Sequence, residues 1–288
     1  MPKSLILIQP SPERHWVGDG FPVRNVFGYN DLGKELLSPW LMFDYAAPYS
    51  FHAASQRRGV GVHPHRGFET VTVVYEGELE HRDSGGGGGR IGPGDVQWMT
   101  AANGIVHEEF HSSEFTRTGG VLHMAQLWVN LPRSQKRIPP AYQGLLDAEI
   151  PTAALPGGVT ARLIAGAIGD TPGAARTATP MILWDVKLPA GSAVTLPAED
   201  GWTLAVFVID GEARAADGRT IGREHLGVYS REGADATVSC EAACRLLVLG
   251  GRPIAEPVVG YGPFVMNSRE EILEAFQDYE AGRMGQLA

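Results

Sequence analysis

The residues best suited to chemistry in this sequence are histidines, and most of them lie close together. Seven of the nine histidines fall between His52 and His123. Two short motifs stand out in that interval, HPH at 63–65 and HEE at 107–109. Imidazole nitrogens and carboxylate oxygens are common ligands of divalent first-row metals. The pattern therefore indicates a metal site in the N-terminal half of the chain.

The spacing within each motif suits a β-strand. Side chains alternate faces along a strand, so residues two apart point the same way. His63 and His65 would share one face, and His107 and Glu109 would share another, with Glu108 pointing outward. Two such pairs on facing strands supply three nitrogens and one oxygen, a set that accepts Fe(II), Mn, Ni, Cu or Zn. With no thiolate in reach by sequence, the pattern disfavours a structural zinc cage.

Other residues near these motifs compete for a place in the site. Glu69 lies four residues after His65 and shares its parity, so it could supply the fourth ligand instead. His111 continues the parity of the second motif and could lie at the rim, whereas Asp95 is predicted to anchor a turn. The simplest alternative is that these histidines are ordinary surface or core residues. A second paired motif in a separate strand-like segment favours the metal site.

Composition excludes several classes of protein. Hydrophobic residues make up 43% and charged residues 20% of 288 residues, which is enough apolar content for a sizeable core. The net charge of -9 argues against direct nucleic-acid binding, which needs a basic face. No apolar run is long enough to span a membrane, and the N-terminus lacks a signal-peptide pattern. We therefore expect a soluble, cytoplasmic protein that does not bind membranes.

Short strands and turns dominate the predicted elements around the two motifs. Segment 70–75 (TVTVVY) is β-branched and aromatic, and 79–83 alternates as a second strand. The five glycines at 85–89 lack a following Lys-Ser/Thr and a helix signal, so they predict a hairpin tip and not a phosphate loop. Segment 91–95 (IGPGD) predicts a tight turn. Short strands joined by tight turns are what a metal-binding β-barrel requires.

The second half of the chain repeats this pattern in outline. Segment 206–213 (VFVIDGEA) resembles 73–79 (VVYEGEL), which suggests a duplicated β-domain. Proline and charge at 132–140 predict a linker, followed by a short helix at 141–147. Ser268 begins a predicted C-terminal helix through a capping box with Glu271 three residues later.

The two cysteines, Cys240 and Cys244, are too few for a disulfide scaffold. They lack further cysteine or histidine partners nearby, so we interpret them as reduced packing residues and not as a metal or redox pair.

Several motifs together resemble the pirin family of the cupin superfamily. They are HPHRGFET at 63–70, GDVQWMTA at 94–101, GIVHEE at 104–109, LWVNL at 127–131 and GYGPFVMN at 260–267. The resemblance extends over nearly the whole chain. It implies an all-β fold of two cupin (double-stranded β-helix, jelly-roll) barrels facing each other, with a short C-terminal helix.

The resemblance also implies a division of the chain and a ligand set. Residues 1–132 would form a metal-binding cupin domain, 133–150 a linker with a short helix, and 151–288 a cupin domain without metal. One divalent metal ion, most commonly taken to be Fe(II), would be held by His63, His65, His107 and Glu109. This assignment favours Glu109 over Glu69.

The function implied by the resemblance is that of a quercetin 2,3-dioxygenase. Such an enzyme uses O₂ to open the central ring of a flavonol and releases carbon monoxide. Glu109 is then the candidate base for the flavonol 3-hydroxyl. Four aromatic or apolar residues are near enough in sequence to line the substrate pocket, with ordinary core packing as the alternative for each: Phe51, Phe68, Trp98 and Met99. The alternative is a non-enzymatic, metal-dependent regulator that binds a transcription factor or a metabolic enzyme.

Overall fold

β-Strands account for most of the regular structure in the computed structural model, which describes residues 1–287. The strands are β1 (Leu5–Pro10), β2 (His15–Val17), β3 (Phe21–Phe27), β4 (Trp40–Phe51), β5 (Gly59–His65), β6 (Phe68–Glu76), β7 (Leu79–Asp83), β8 (Gly88–Ile91), β9 (Val96–Thr100), β10 (Ile105–His111), β11 (Gly120–Asn130), β12 (Ala141–Leu145), β13 (Thr152–Ala154), β14 (Thr160–Ala165), β15 (Ala167–Ile168), β16 (Thr171–Pro172), β17 (Met181–Leu188), β18 (Ala193–Pro197), β19 (Thr203–Asp210), β20 (Ala213–Ala215), β21 (Thr220–Ile221), β22 (His225–Tyr229), β23 (Asp235–Ser239), β24 (Cys244–Gly251), β25 (Val259–Tyr261) and β26 (Phe264–Met266).

Helices are few and short. The α-helices are α1 (Leu32–Glu35), α2 (Ser113–Thr118) and α3 (Arg269–Glu280), and the 3₁₀ turns are Arg133–Gln135, Asp147–Glu149 and Pro156–Gly158. Within the described residues, no helix is long and apolar enough to span a membrane.

The chain divides into two compact units, each containing a barrel. What we call the N-terminal barrel consists of residues 13–34, 40–147 and those from 254 onward. The C-terminal barrel consists of residues 1–12, 35–39 and 148–253.

Both barrels are built from two antiparallel sheets in the same strand order. The N-terminal barrel has sheets β12-β9-β6-β11-β4-β3-β2 and β5-β10-β7-β8. The C-terminal barrel has sheets β1-β22-β19-β24-β17-β14-β13 and β18-β23-β20-β21. Position by position, each strand of these four sheets has a counterpart in the other barrel, whereas β15-β16 and β25-β26 form separate two-stranded sheets. The duplicated all-β fold of two cupin barrels with a C-terminal helix is therefore confirmed.

The repeated sequence segment explains one of these correspondences. Strand β6 turns into β7 through Gly77, and its counterpart β19 turns into β20 through Gly211. Both glycines have positive φ, 90° and 76°, which L-residues with a side chain rarely adopt. Each turn follows a strand whose residues are buried on both faces, as a run of consecutive apolar residues predicts.

The terminal segments do not follow the predicted boundaries of 1–132, 133–150 and 151–288. Strand β1 pairs with β22, so the first residues of the chain belong to the C-terminal barrel. Helix α3 packs through Ile272 and Ala275 against Val106 and Phe264 in the N-terminal barrel. Both the pairing of β1 and the packing of α3 involve contacts between residues far apart in sequence, which local sequence patterns do not reveal.

The short helix predicted at 141–147 is wrong. Residues Ala141–Leu145 form strand β12, which pairs with β9 at the edge of the larger sheet. An exposed sheet edge offers unpaired backbone groups that the segment satisfies by pairing. Tyr142 packs beside Met99 and Ile105, which adds apolar contact to this edge.

Several local predictions are confirmed. The first three glycines of the run form the tip between β7 and β8, and the last two begin β8. At this tip Asp83 Oδ1 accepts hydrogen bonds from the backbone of Gly85 and Gly87 at 2.7 and 3.0 Å. Asp95 anchors its turn by accepting from the Gly92 backbone at 2.9 Å.

The capping box is confirmed as well, and both cysteines are packing residues as expected. Ser268 and Glu271 form the capping box that begins α3. Cys240 and Cys244 are free and buried in the core of the C-terminal barrel.

Candidate metal centre

The two predicted ligand motifs lie on neighbouring strands of one sheet. Strands β5 and β10 pair antiparallel, with His63 directly opposite His107. The motifs therefore lie on neighbouring, paired strands, and not on facing strands as the sequence analysis expected. Directly opposed residues of an antiparallel pair project from the same side with their Cβ atoms about 5 Å apart. This register brings imidazoles from two strands together.

Three imidazoles form a compact group in the N-terminal barrel. The candidate ligand atoms of His63, His65 and His107 all lie within 4.8 Å of one another. The ring centroids are 4.2 Å apart for His63 and His107, 4.8 Å for His63 and His65, and 4.9 Å for His65 and His107. Three nitrogens this close could hold one metal ion.

Backbone carbonyls set the tautomers of two of these rings. His63 Nδ1 lies 2.8 Å from the Gly61 carbonyl oxygen, and His65 Nδ1 lies 3.4 Å from that of Pro263. A carbonyl only accepts hydrogen bonds, so each Nδ1 carries a proton, and in the neutral ring Nε2 is then the nitrogen with a free lone pair. Hydrogen bonding of the far nitrogen is the usual arrangement around a metal-ligating histidine.

His107 gives the strongest sign that this group suits a metal. The residue is fully buried, and neither ring nitrogen makes a hydrogen bond within the protein. Burial lowers the pKa of His107 well below its usual value, and the neighbouring imidazoles lower it further. Burial, followed by the nearby His63, lowers the pKa of His65 to about 3. Both rings are therefore neutral at physiological pH, the form that ligates metals.

Glu109 lies two residues beyond His107 but is not part of the compact group of three. A β-bulge between β5 and β10 places it opposite Val60, and bulges commonly redirect side chains next to functional sites. Gln126 Nε2 donates to both carboxylate oxygens of Glu109, at 3.2 and 3.1 Å. Burial raises the pKa of Glu109, while the nearby His63 and the bond from Gln126 act in the opposite direction.

The competing residues have other partners. Glu69 accepts a hydrogen bond from Thr100 Oγ1 at 2.6 Å, and burial raises its pKa to about 7 against the effect of that bond. His111 Nε2 lies 2.9 Å from the Gly20 carbonyl oxygen, and its ring packs against Phe51. His111 is thus a core histidine with a backbone partner, and neither residue belongs to the histidine group.

A cavity of about 230 Å³ opens beside the histidines. Five polar residues line it: Asp44, His63, His65, Glu109 and Gln126. The other lining residues are apolar: Val17, Phe21, Val23, Met42, Val60, Met124 and Trp128. An apolar pocket with a few convergent polar groups is the usual form of a small-molecule site.

None of the four residues predicted from sequence to line an aromatic pocket is among the residues that line this cavity. Phe68 lies beside His65, with ring centroids 5.1 Å apart, and stacks on Trp128 at 4.2 Å. Phe51, Trp98 and Met99 are buried elsewhere in the barrel and are not among the residues lining this cavity.

Sequence reasoning missed Asp44, Gln126 and Trp128. They lie on β4 and β11, which pair with each other, far along the chain from the histidine motifs. For Asp44 and Gln126 the local signal was a polar residue within an apolar strand, in 40–45 and in 122–131. Trp128 lies in the LWVNL motif at 127–131.

The corresponding strands of the C-terminal barrel carry no such ligands. Strands β18 and β23 are the counterparts of β5 and β10, and there Val194 opposes Val238 and Leu196 opposes Ala236. These four side chains are buried in an apolar core. The fold and the histidine group together define a two-barrel cupin protein with a candidate metal centre in its N-terminal barrel.

Comparison with known proteins identifies the family. A family model described as "Pirin" matches residues 20–129, and one described as "Pirin C-terminal cupin domain" matches residues 183–285. The chain belongs to the pirin family.

Individual relatives match along almost the entire chain. A Pseudomonas aeruginosa protein named "Putative quercetin 2,3-dioxygenase" is 53% identical over 98% of each chain. Human "Pirin" is 36% identical over 93% of this chain and 89% of its own. The crystal structure of a quercetin 2,3-dioxygenase from Acinetobacter baumannii is 47% identical, with a TM-score of 0.96 over 100% of both chains.

Proposed function

We propose that this protein is a metal-dependent dioxygenase of the quercetin 2,3-dioxygenase type, which opens a flavonol ring with O₂. The observation that carries the proposal is the group of three imidazoles beside a largely apolar cavity that Glu109 also lines. The names of the Pseudomonas and Acinetobacter relatives point to the same substrate class.

The proposed metal is Fe(II), held by His63, His65, His107 and Glu109. Three neutral nitrogens and one carboxylate suit iron and also accept Mn, Ni, Cu or Zn. When bound, such an ion would act as a Lewis acid on the substrate oxygen, with redox chemistry towards O₂ where the metal allows it. Four protein ligands leave room on the ion for substrate, as catalysis requires.

Glu109 is the proposed base for the flavonol 3-hydroxyl. Burial raises the pKa of Glu109, which makes its carboxylate a stronger base. Gln126 holds both of its oxygens, so the carboxylate faces the cavity in a fixed orientation. The proton would move from the substrate oxygen to a Glu109 carboxylate oxygen.

The walls of the cavity would bind and shield the flat substrate. Trp128 stacks on Phe68 and also contacts His65, with ring centroids 5.2 Å apart, so an aromatic surface borders the histidines. The cavity of about 230 Å³ is smaller than the roughly 300–1,000 Å³ typical of drug-sized ligands. A three-ring flavonol would therefore fill it and extend out of its mouth.

The test is oxygen uptake with quercetin by iron-loaded protein, together with carbon monoxide release. We expect one CO for each O₂ consumed, and no turnover above background in His63→Ala. Bound metal without oxygen uptake would contradict the dioxygenase. That result would favour the alternative of a metal-dependent regulator that binds a transcription factor or a metabolic enzyme. The predicted cytoplasmic location is compatible with either role and stays a prediction.

A further inference from the structure

A row of polar side chains crosses the larger sheet of the N-terminal barrel. Its members oppose one another in register on five neighbouring strands, β3, β4, β11, β6 and β9: Asn25, Asp44, Gln126, Thr72 and Gln97. Directly opposed residues in antiparallel strands project from the same face. The row therefore lies on one face of the sheet, the face from which Asp44 and Gln126 line the cavity.

Asp44 is the member of this row that the proposed mechanism leaves unused. It is 8% exposed, and Asn25 Nδ2 donates to its Oδ1 at 2.8 Å. Its neighbours on the same face, two residues away along each strand, include the cavity-lining Met42 and Met124. A carboxyl group costs free energy to bury, and a single hydrogen bond from Asn25 does not use its full accepting capacity.

Asp44 is linked to the proposed base, Glu109, through Gln126. It is directly opposite Gln126, whose amide holds Glu109. Neighbouring strands are separated by about 5 Å, so Asp44 lies about one strand spacing from Gln126. A substrate whose reacting oxygen is near Glu109 would present a different part of its ring system to Asp44.

We propose that Asp44, oriented by Asn25, determines specificity by hydrogen bonding a second hydroxyl of the substrate, distinct from the one deprotonated by Glu109. The site would thus select polyhydroxylated aromatic molecules over analogues with a single hydroxyl. This inference rests on the proposed function, because it assumes that an aromatic hydroxyl compound occupies this cavity.

The experiment compares two probes on the metal-loaded full chain without O₂, so that binding is measured without turnover. Quercetin carries several hydroxyls, whereas 3-hydroxyflavone keeps only the reacting one. Dissociation constants for both would be measured by fluorescence titration in the wild type, Asp44→Leu and Asp44→Asn. Asp217→Asn is the matched control, because Asp217 is an exposed carboxylate in the C-terminal barrel.

We expect Asp44→Leu to weaken quercetin binding by roughly 10- to 100-fold, the penalty for a substrate polar group that loses its partner. Binding of 3-hydroxyflavone should change by less than about twofold, since no second hydroxyl is lost. Asp44→Asn keeps an acceptor and should retain most of the quercetin affinity. Asp217→Asn should match the wild type with both probes.

Other outcomes would overturn the inference in distinguishable ways. If Asp44→Leu weakens both probes equally, or neither, Asp44 only supports the sheet and the specificity role is wrong while the proposed function stands. If the wild type binds neither probe, the proposed function fails and this inference fails with it. Should Asp44→Leu not fold by circular dichroism, Asp44→Ala leaves space for water beside Asn25 and takes its place in the same comparison.

Discussion

Gln126 donates through one amide nitrogen to both carboxylate oxygens of Glu109, at 3.2 and 3.1 Å. The two residues come from different sheets of the N-terminal barrel, β11 in the larger and β10 in the smaller. This contact links the smaller sheet, which carries all three histidines on β5 and β10, to the larger sheet, which carries the polar row. Orientation of the proposed base therefore depends on a residue that never needs to touch the metal.

The first prediction concerns this contact. Gln126→Leu should free the Glu109 carboxylate and lower kcat for quercetin and metal affinity by about 10- to 100-fold, the usual effect of losing such an outer partner. Gln277→Leu is the control, because Gln277 is exposed on α3. Steady-state kinetics and metal titration would measure both effects. Unchanged kinetics in Gln126→Leu would show that Glu109 needs no orientation by Gln126.

The second prediction separates Glu69 from the metal site. Burial raises the pKa of Glu69 to about 7, above the ordinary value of 4.5. The folded state then holds the Glu69 proton more tightly than the unfolded state does. The stability that Glu69 contributes is therefore present at low pH and is lost as pH rises through about 7. The free energy of unfolding should fall by at most about 3 kcal/mol between pH 4.5 and 8 from this group.

Glu69→Gln should remove that pH dependence and leave metal content unchanged. Urea unfolding of metal-free protein at pH 5 and pH 8 would measure the difference, and elemental analysis would measure the metal. Loss of bound metal in Glu69→Gln would instead make Glu69 a ligand, which is the alternative that the sequence pattern left open.

The third prediction concerns a buried lysine close to the first histidine motif. Lys136 Nζ donates to the Gly67 carbonyl at 2.5 Å, to Asn130 Oδ1 at 2.6 Å and to the Val265 carbonyl at 3.0 Å. Lys136→Met would leave three buried acceptors without a donor, at about 1–3 kcal/mol for each. We expect unfolding free energy to fall by about 3 kcal/mol or more.

Lys187→Met is the matched control for this prediction, because Lys187 is exposed on β17. Chemical denaturation of both variants would give the comparison. A Lys136→Met protein as stable as the control would mean that water replaces the ammonium group at no cost.

The fourth prediction is that metal removal destabilises the N-terminal barrel. An ion that binds only the folded state at about 100 times its dissociation constant adds about 2.7 kcal/mol. That gain corresponds to a rise in melting temperature of roughly 5–10 °C. Differential scanning calorimetry with Fe(II) and with chelator would measure it. His107→Ala should show no difference between the two conditions, and a shift that persists in this variant would place the ion elsewhere.

Local sequence patterns predicted those parts of the site that lie on single strands. The alternation of His63 and His65, and of His107 and Glu109, needs only the two-residue period of a strand. Pairing of the two motifs depended on cross-strand register, and their arrangement on adjacent strands was not evident from spacing. The bulge that sets Glu109 opposite Val60 was likewise invisible.

The polar row shows most clearly what sequence patterns could not supply. Asp44 and Gln126 each interrupt an apolar strand, and only their register on β4 and β11 shows that they share a cavity. Strand β12 was predicted as a helix because its alternative, pairing with the β9 edge, involves a partner far along the chain. In each case tertiary contacts decided what local propensity left open.

The most direct test of the central claim is metal content of protein purified without added metal, measured by elemental analysis in the wild type, His107→Ala and Glu109→Ala. The account predicts about one metal ion, mainly iron, per wild-type chain, as a single site requires. It predicts almost none in His107→Ala and a reduced amount in Glu109→Ala. Wild-type protein without metal, or His107→Ala with a full complement, would contradict the metal centre on which the proposed function rests.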